Sequence, residues 1–313
     1  MNIPENPGPA GTPGPAVGSA PADMPTPPGA PSSPSAPAED PAPAAPLVHS
    51  FSADGPIDMN VQHLRGNVSV RAEHGHAVRV ELRPRGEAGR ELAARMRIDF
   101  SGGHLRVDAP ADEAGNLSAT FGDLFRSSGA AEEPAAPGGS FTDRLGAALR
   151  TLARTAGGIG SGLDIDIVVP VDSRAVVSVG VGDIRLHGSF GRADLKSATG
   201  DVELSDADGT AQLVTGTGSV TIGALRGQAT ATTGTGSVRI GQAERGTLRT
   251  RTGVGDIQIR VLEGTATRLD LATGLGDRSV DLTPTDGVPD AGRTLEIEAR
   301  AGTGSIRIER ARA

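Results

Sequence analysis

The chain contains no cysteine, tryptophan or tyrosine, and aromatic residues make up only 2% of its 313 positions. The lack of cysteine excludes disulfide staples and thiolate metal sites, and it leaves the redox compartment open. None of the six phenylalanines lies beyond Phe190, so any core C-terminal of that point must be filled by Val, Ile, Leu and Ala. No run of about 18 consecutive apolar residues occurs, so no segment reads as a membrane-spanning helix. The opening Met1-Asn2-Ile3-Pro4-Glu5 has neither the basic nor the apolar part of a secretory leader. The expected compartment is therefore cytoplasmic, and surface display would need an unrecognised route. A net charge of -8 with a pI near 5.3 leaves little for phosphate neutralisation, so nucleic acid is not an expected partner. HExxH, Walker A and nucleophile-elbow sequences are absent, and Gly216-Thr217-Gly218 lacks the third glycine and following helix of a dinucleotide site. No cofactor is expected.

What is present divides the chain in two. Residues 1–46 hold 15 of the 23 prolines, mixed with Ala, Gly and Ser, and cannot bury enough apolar surface to offset ordering entropy. They read as a disordered, partly polyproline-like tail. Residues 47–313 read as one domain, and a motif built on Thr-Gly-x-Gly followed by Asp or Ser returns through its second half. The second glycines stand at Gly182, Gly200, Gly218, Gly236, Gly255, Gly276 and Gly304, in steps of 18, 18, 18, 19, 21 and 28 residues. Such a period is the mark of a solenoid, in which each coil buries its apolar face against its neighbours.

Alignment on that glycine gives the alternating pairs Val202/Leu204, Val220/Ile222, Val238/Ile240 and Ile257/Ile259, each a strand with one buried face. A second glycine column at Gly191, Gly209, Gly227, Gly246 and Gly264 precedes a second alternation, such as Ala211/Leu213. Each coil thus carries two short strands and two glycine corners. Arg185, Glu203, Thr221, Arg239 and Gln258 share one column without agreeing in charge or size, as expected of a solvated face. A threonine column is read at Thr199, Thr215, Thr233, Thr252 and Thr273. After the corner glycines stand Asp183, Asp201, Ser219, Ser237, Asp256, Asp277 and Ser305, all short acceptors for nearby backbone N–H groups. A left-handed hexapeptide helix is excluded, because six and twelve residues on from Val220 stand Arg226 and Thr232. The fold class is all-β: a single-stranded parallel β-helix of about 18 residues per coil, right-handed by the general crossover preference. Seven coils would make a rod of roughly 30 to 35 Å.

Upstream, the alternations at 67–71, 77–82, 95–100 and 104–108 read as irregular opening coils, and Ser305–Arg310 as the terminal strand. Between them, 109–162 is an insertion in which Ser140 can cap an amphipathic helix over about 141–155, carrying Phe141, Leu145, Leu149 and Leu152 on one face.

The stretch Ile167-Val168-Val169-Pro170-Val171, the run Val176 to Leu186, and the repeated Thr-Gly-x-Gly-Asp/Ser units resemble the bacterial toastrack domain, an adhesin-type family with β-strand repeats. The resemblance runs from about Leu163 to Ile308. It implies stacked β-coils entered by a Val-Pro strand, and a binding or sensing role at or near the cell envelope. It brings no catalytic, cofactor or metal residues.

Candidates for chemistry are few. Asp183 and Asp201 would stand one coil apart and could form an acid/base pair, and the aligned carboxylates could hold calcium. A structural corner role accounts for both equally well, and Ser replaces Asp in three of the seven coils. His74 and His76, with His63 or His104, could ligate a metal; a turn between Val70 and Val78 explains the pair as well. Arg239, Arg245, Arg249, Arg251, Arg260 and Arg268 form a basic strip or, with interleaved Glu244, Asp256, Glu263 and Asp270, a mixed surface. The expectation is a non-catalytic binding or scaffold module for a protein or cell-envelope component, with at most peripheral membrane contact. The alternatives are a self-associating filament of bactofilin-like character and a polysaccharide-acting enzyme.

Overall fold

The computed structural model describes residues 46–110, 162–282 and 293–311. The proline-rich segment up to residue 45 and the helix expected at 141–155 lie outside the described residues.

Between Arg174 and Val261 each coil contributes one strand to each of two sheets. The pairs are β8 (Arg174–Val181) with β9 (Ile184–His187), β10 (Arg192–Thr199) with β11 (Val202–Ala207), and β12 (Thr210–Thr217) with β13 (Val220–Leu225). They continue as β14 (Gln228–Thr235) with β15 (Val238–Ala243), and β16 (Gly246–Val254) with β17 (Ile257–Val261). Successive rungs pair in parallel and in register, Val202 on Val220 on Val238 and Leu195 on Leu213 on Ala231. Those six side chains are almost fully buried between the sheets. The reason is the period of two: inward positions are aliphatic apart from Thr250 and the Ser/Thr column at the corner, so a one-residue slip would turn the whole set into water. The result is an all-β, solenoid-like fold.

Both ends depart from chain order. At the N-terminal end β2 (Asp58–Arg65) and β3 (Val68–Glu73) form a coil that lies directly under β8 and β9, while β7 (Gly162–Pro170) sits on the far side of β3. The chain therefore steps over a whole rung between β7 and β8. The other upstream segments are not coils. Strands β1 (Leu47–Ser52) and β4 (Ala77–Arg85) pair antiparallel with each other, and β4 pairs antiparallel with β7. Strands β5 (Arg97–Ser101) and β6 (His104–Asp108) form an antiparallel hairpin against β2. The expected series of opening coils is corrected to a single coil flanked by antiparallel strands, because short turns at 74–76 and 102–103 reverse the chain instead of carrying it around.

A helix that the sequence reading missed, α1 (Gly86–Arg95), follows β4. Its periodicity is weak, with only Gly89 and Ala93 buried. A Cβ at Gly89 would fall 2.5 Å from the carbonyl oxygen of Gly162, so the helix lies closely against the start of β7.

At the C-terminal end β18 (Ala266–Leu275) and β19 (Arg278–Asp281) precede β20 (Thr294–Thr303) and β21 (Ile306–Arg310) in sequence. In space the order is reversed: β20 lies between β16 and β18, and β21 between β17 and β19. The last strand of the chain is thus an interior rung with Ile306 and Ile308 fully buried, and the outermost rung is β18–β19. The expected terminal strand is corrected accordingly.

Candidate functional site: a corner ladder and a charged cleft

The corner glycines form one ladder. Gly182, Gly200, Gly218, Gly236, Gly255, Gly276 and Gly304 all have φ between +135° and +151°, and a Cβ on any of them would lie 2.0–2.3 Å from a glycine carbonyl oxygen in the adjacent rung. No side chain fits there, which explains the repeat more fully than conformational freedom alone. Gly304 stands on Gly255, and Gly276 on Gly304. Gly66 is a further rung that the sequence reading did not include, since its φ is +125° and Gly182 stands on it. The signal was Gly66-Asn67-Val68, a close variant of the repeat.

The residue after each glycine joins the rungs. Asp183 N–H donates to Asn67 Oδ1 at 3.0 Å, Asp201 N–H to Asp183 Oδ1 at 3.0 Å, Ser219 N–H to Asp201 Oδ1 at 2.7 Å, and Ser305 N–H to Asp256 Oδ1 at 2.8 Å. Ser237 and Asp277 occupy the same corner position in their rungs. Asp183 also receives Arg185 Nη2 at 2.8 Å. These carboxylates are acceptors for the backbone of the neighbouring rung. Inside the corner, the hydroxyls of Ser197, Thr215, Thr233, Thr252 and Thr273 donate to glycine carbonyls at 2.8–3.1 Å. Ser197, not Thr199, is the member of that column: Thr199 pairs in register with Thr217.

The opposite corner carries denser charge. Arg226 bridges Asp208 at 2.5 Å and Asp206 at 2.9 Å. The hydrogen bond from Arg226 holds the Asp208 carboxyl below its ordinary range, and the same bond raises Arg226.

On that side, near the N-terminal end, lies an open cleft of about 450 Å³. Four separate segments build it: the approach to β2, the Gly102–Gly103 turn, the turn between β7 and β8, and Gly191 before β10. Ser173, fully buried, ties two of them together, accepting from Ile57 N–H at 3.0 Å and donating to the Pro170 carbonyl at 2.6 Å. Along the rim His104, Asp58, Arg174 and Arg192 stand in register on four neighbouring strands. Asp172, the one non-glycine residue with positive φ among the described residues, faces the same cleft with φ +60°.

Other candidates are dispersed. His74 and His76 occupy the turn before β4, with His76 Nδ1 3.0 Å from the Ala53 carbonyl, whereas His104 lies at the cleft. His63 is fully buried in β2, at the register position held by Val179 in the next rung. Burial pushes its imidazole down to about 4 from 6.5; the backbone of Leu163 and Arg65 and the Asp164 carboxylate act in the opposite sense without outweighing it. Among the described residues no group of three or more His, Asp or Glu side chains is placed to hold a metal ion. The arginine strip is a mixed surface, with Arg249 paired to Glu298 at 3.4 Å and Arg260 to Glu309 at 3.0 Å. No helix among the described residues is long and apolar enough to cross a membrane.

No family model and no curated protein matches the chain. Solved structures similar to it include a "putative adhesin" from Bacteroides fragilis, at 11% identity over 85% of this chain and 97% of that one, TM-score 0.44. A "putative cell adhesion protein" from Clostridium sporogenes is similar at 9% identity over 85% and 99%, TM-score 0.33. A "putative lipid binding protein" from Parabacteroides distasonis is similar at 11% identity over 85% and 97%, TM-score 0.35. The adhesin designation is the one that the toastrack resemblance carries.

Proposed function

We propose that the chain is a non-catalytic solenoid module that binds a protein or cell-envelope component, with the cytoplasm as its proposed compartment and only peripheral contact with membranes. The observation that carries this reading is the commitment of the candidate acid/base groups. Asp183 and Asp201 each hold the backbone N–H of the adjacent rung, so a corner role accounts for both without a catalytic one. What the fold leaves open, among the described residues, includes in-register rows of polar side chains and the cleft whose charges pair only loosely. The adhesin designation of the similar structures accords with a binding role.

Self-assembly into a filament is the second reading. It is favoured by the outermost rung, where Leu275 and Val280 are exposed by 70% and 47%. Sedimentation at rising concentration separates the two: a monomer throughout supports the binding module, whereas long assemblies replace it. Cell fractionation tests the compartment, and recovery with the envelope would overturn the cytoplasmic proposal.

A further inference from the structure

We infer that the cleft at the second corner binds an acidic sugar, free or at the end of a glycan chain, an inference that rests on the binding-module reading. The first support is the state of its charges. Surface ion pairs range from closed, as Arg83 to Asp166, Arg106 to Asp108 and Arg185 to Asp183 at 2.8 Å, to loose, as Arg79 to Glu81 and Arg249 to Glu298 at 3.4 Å and Arg300 to Asp270 at 3.9 Å. Those of the cleft all lie at the loose end. His104 stands 3.5 Å from Asp58, Arg174 3.8 Å from Asp58, and Arg192 3.9 Å from Asp194. At these separations the guanidinium donors and the carboxylate acceptors keep most of their hydrogen-bonding capacity for a ligand.

The second support is placement. Arg174 and Arg192 are direct register partners on adjacent parallel strands, about 4.8 Å apart along the backbone. Like charges directly opposite one another weaken a sheet, and an oxyanion seated between two planar forks would remove that repulsion while accepting bidentate bonds. On the same rim Asp58, the register neighbour of Arg174, and from the adjoining turn Asp172, which receives only a long 3.4 Å bond from Ser189 Oγ, offer acceptors that suit hydroxyl donors and repel a second anionic group. Two cations beside two carboxylates therefore select a hydroxylated acid over a bare anion. The volume is within the range of small-ligand sites, and the lining is polar enough for a sugar even though no aromatic stacks there.

The third support is rigidity. Ser173 bonds join segments 116 residues apart under the cleft, and Asp172 is held in a left-handed conformation that a non-glycine residue adopts at some energetic expense. Such strain gathers at preorganised sites.

The test is calorimetric titration of the full chain with glucuronate, with a uronate-terminated oligosaccharide, with glucose and with inorganic phosphate. Glucuronate or the oligosaccharide is expected to bind at least tenfold more tightly than glucose or phosphate. Preference for the oligosaccharide over free glucuronate would place the site at a glycan end. Arg192→Gln is expected to lower that affinity at least tenfold while leaving the melting temperature of the free chain unchanged or raised, since a like-charge contact is removed. Equal binding of glucose and glucuronate, no binding of either acid, or an unchanged affinity in Arg192→Gln would overturn the inference. A chain that binds no acidic sugar yet stays monomeric and takes a saturable protein partner would lose this ligand and keep the binding-module reading.

Discussion

The five coils from Arg174 to Val261 and the rungs at either end are made of the same strands and corners, but they are stacked by different rules. In the middle each strand pairs with one about 18 residues away, and the chain climbs without interruption. At the ends the pairing partners are far apart: Asp183 meets Asn67 across 116 residues, and Ser305 meets Asp256 across 49. The corner motif fixes the geometry of a rung and says nothing about which rung follows. Order at the ends is set by long-range pairing, where the entropy of closing large loops must be offset by many contacts formed together. The cleft exists only because of that break, since its rim joins β6 and β2 to β8 and β10.

The comparison can be broken most severely in the middle. Gly218→Val would force a side chain into the Gly200 carbonyl, 2.1 Å from the ideal Cβ, at a φ of +143°. A loss of about 4 kcal/mol or failure to fold is expected in chemical denaturation, the range of severe single substitutions. A small loss would mean that the rungs can separate locally.

Next in size is a pair of truncations in one column. Ile222 and Val280 both lie in the column that runs through Ile240, Ile259 and Ile308. Ile222 is fully buried and Val280 is 47% exposed. Ile222→Ala should cost about 3 kcal/mol through the cavity it leaves, and Val280→Ala less than about 0.5 kcal/mol. Equal losses would show that the outer rung is as tightly packed as the middle.

A third prediction concerns the N-terminal end alone. The imidazole of His63 is held near 4 in the fold against 6.5 when unfolded, so the unfolded chain binds the extra proton. Its contribution is complete above pH 6.5 and is lost as pH falls toward 4. Stability should drop by about 2 kcal/mol between pH 7.5 and pH 5 from this group. His63→Val, which copies the Val179 of the next rung, should flatten that part of the pH–stability curve. An unchanged slope would assign the acid sensitivity elsewhere.

The middle coils were legible because glycine, the Asp/Ser position and the aliphatic pairs repeat at a nearly fixed step, and each column confirms the others. The steps of 21 and 28 residues around Gly276 recorded the disruption without revealing its form: a longer connection can lengthen a loop or reverse the stacking order. The helix over Gly86–Arg95 was missed because two glycines and few apolar residues leave little periodicity to see. The cleft could not be read at all. Asp58, His104, Arg174 and Arg192 are scattered over 135 positions and share no motif; only the folded register aligns them.

The most direct measurement uses the absence of native cysteine, so that any disulfide reports on the pair introduced. Gln62 is the register partner of both Ser178 and Asp108, and lies between them. One parallel rung separates Cα atoms by about 4.8 Å, within reach of a disulfide, whereas two rungs separate them by about 9.6 Å, beyond it. The double variant Gln62→Cys with Ser178→Cys should therefore close on mild oxidation, and Asp108→Cys with Ser178→Cys should stay reduced. Closure of the second pair in place of the first would put β6 directly beside β8, removing the inserted coil and the cleft with it.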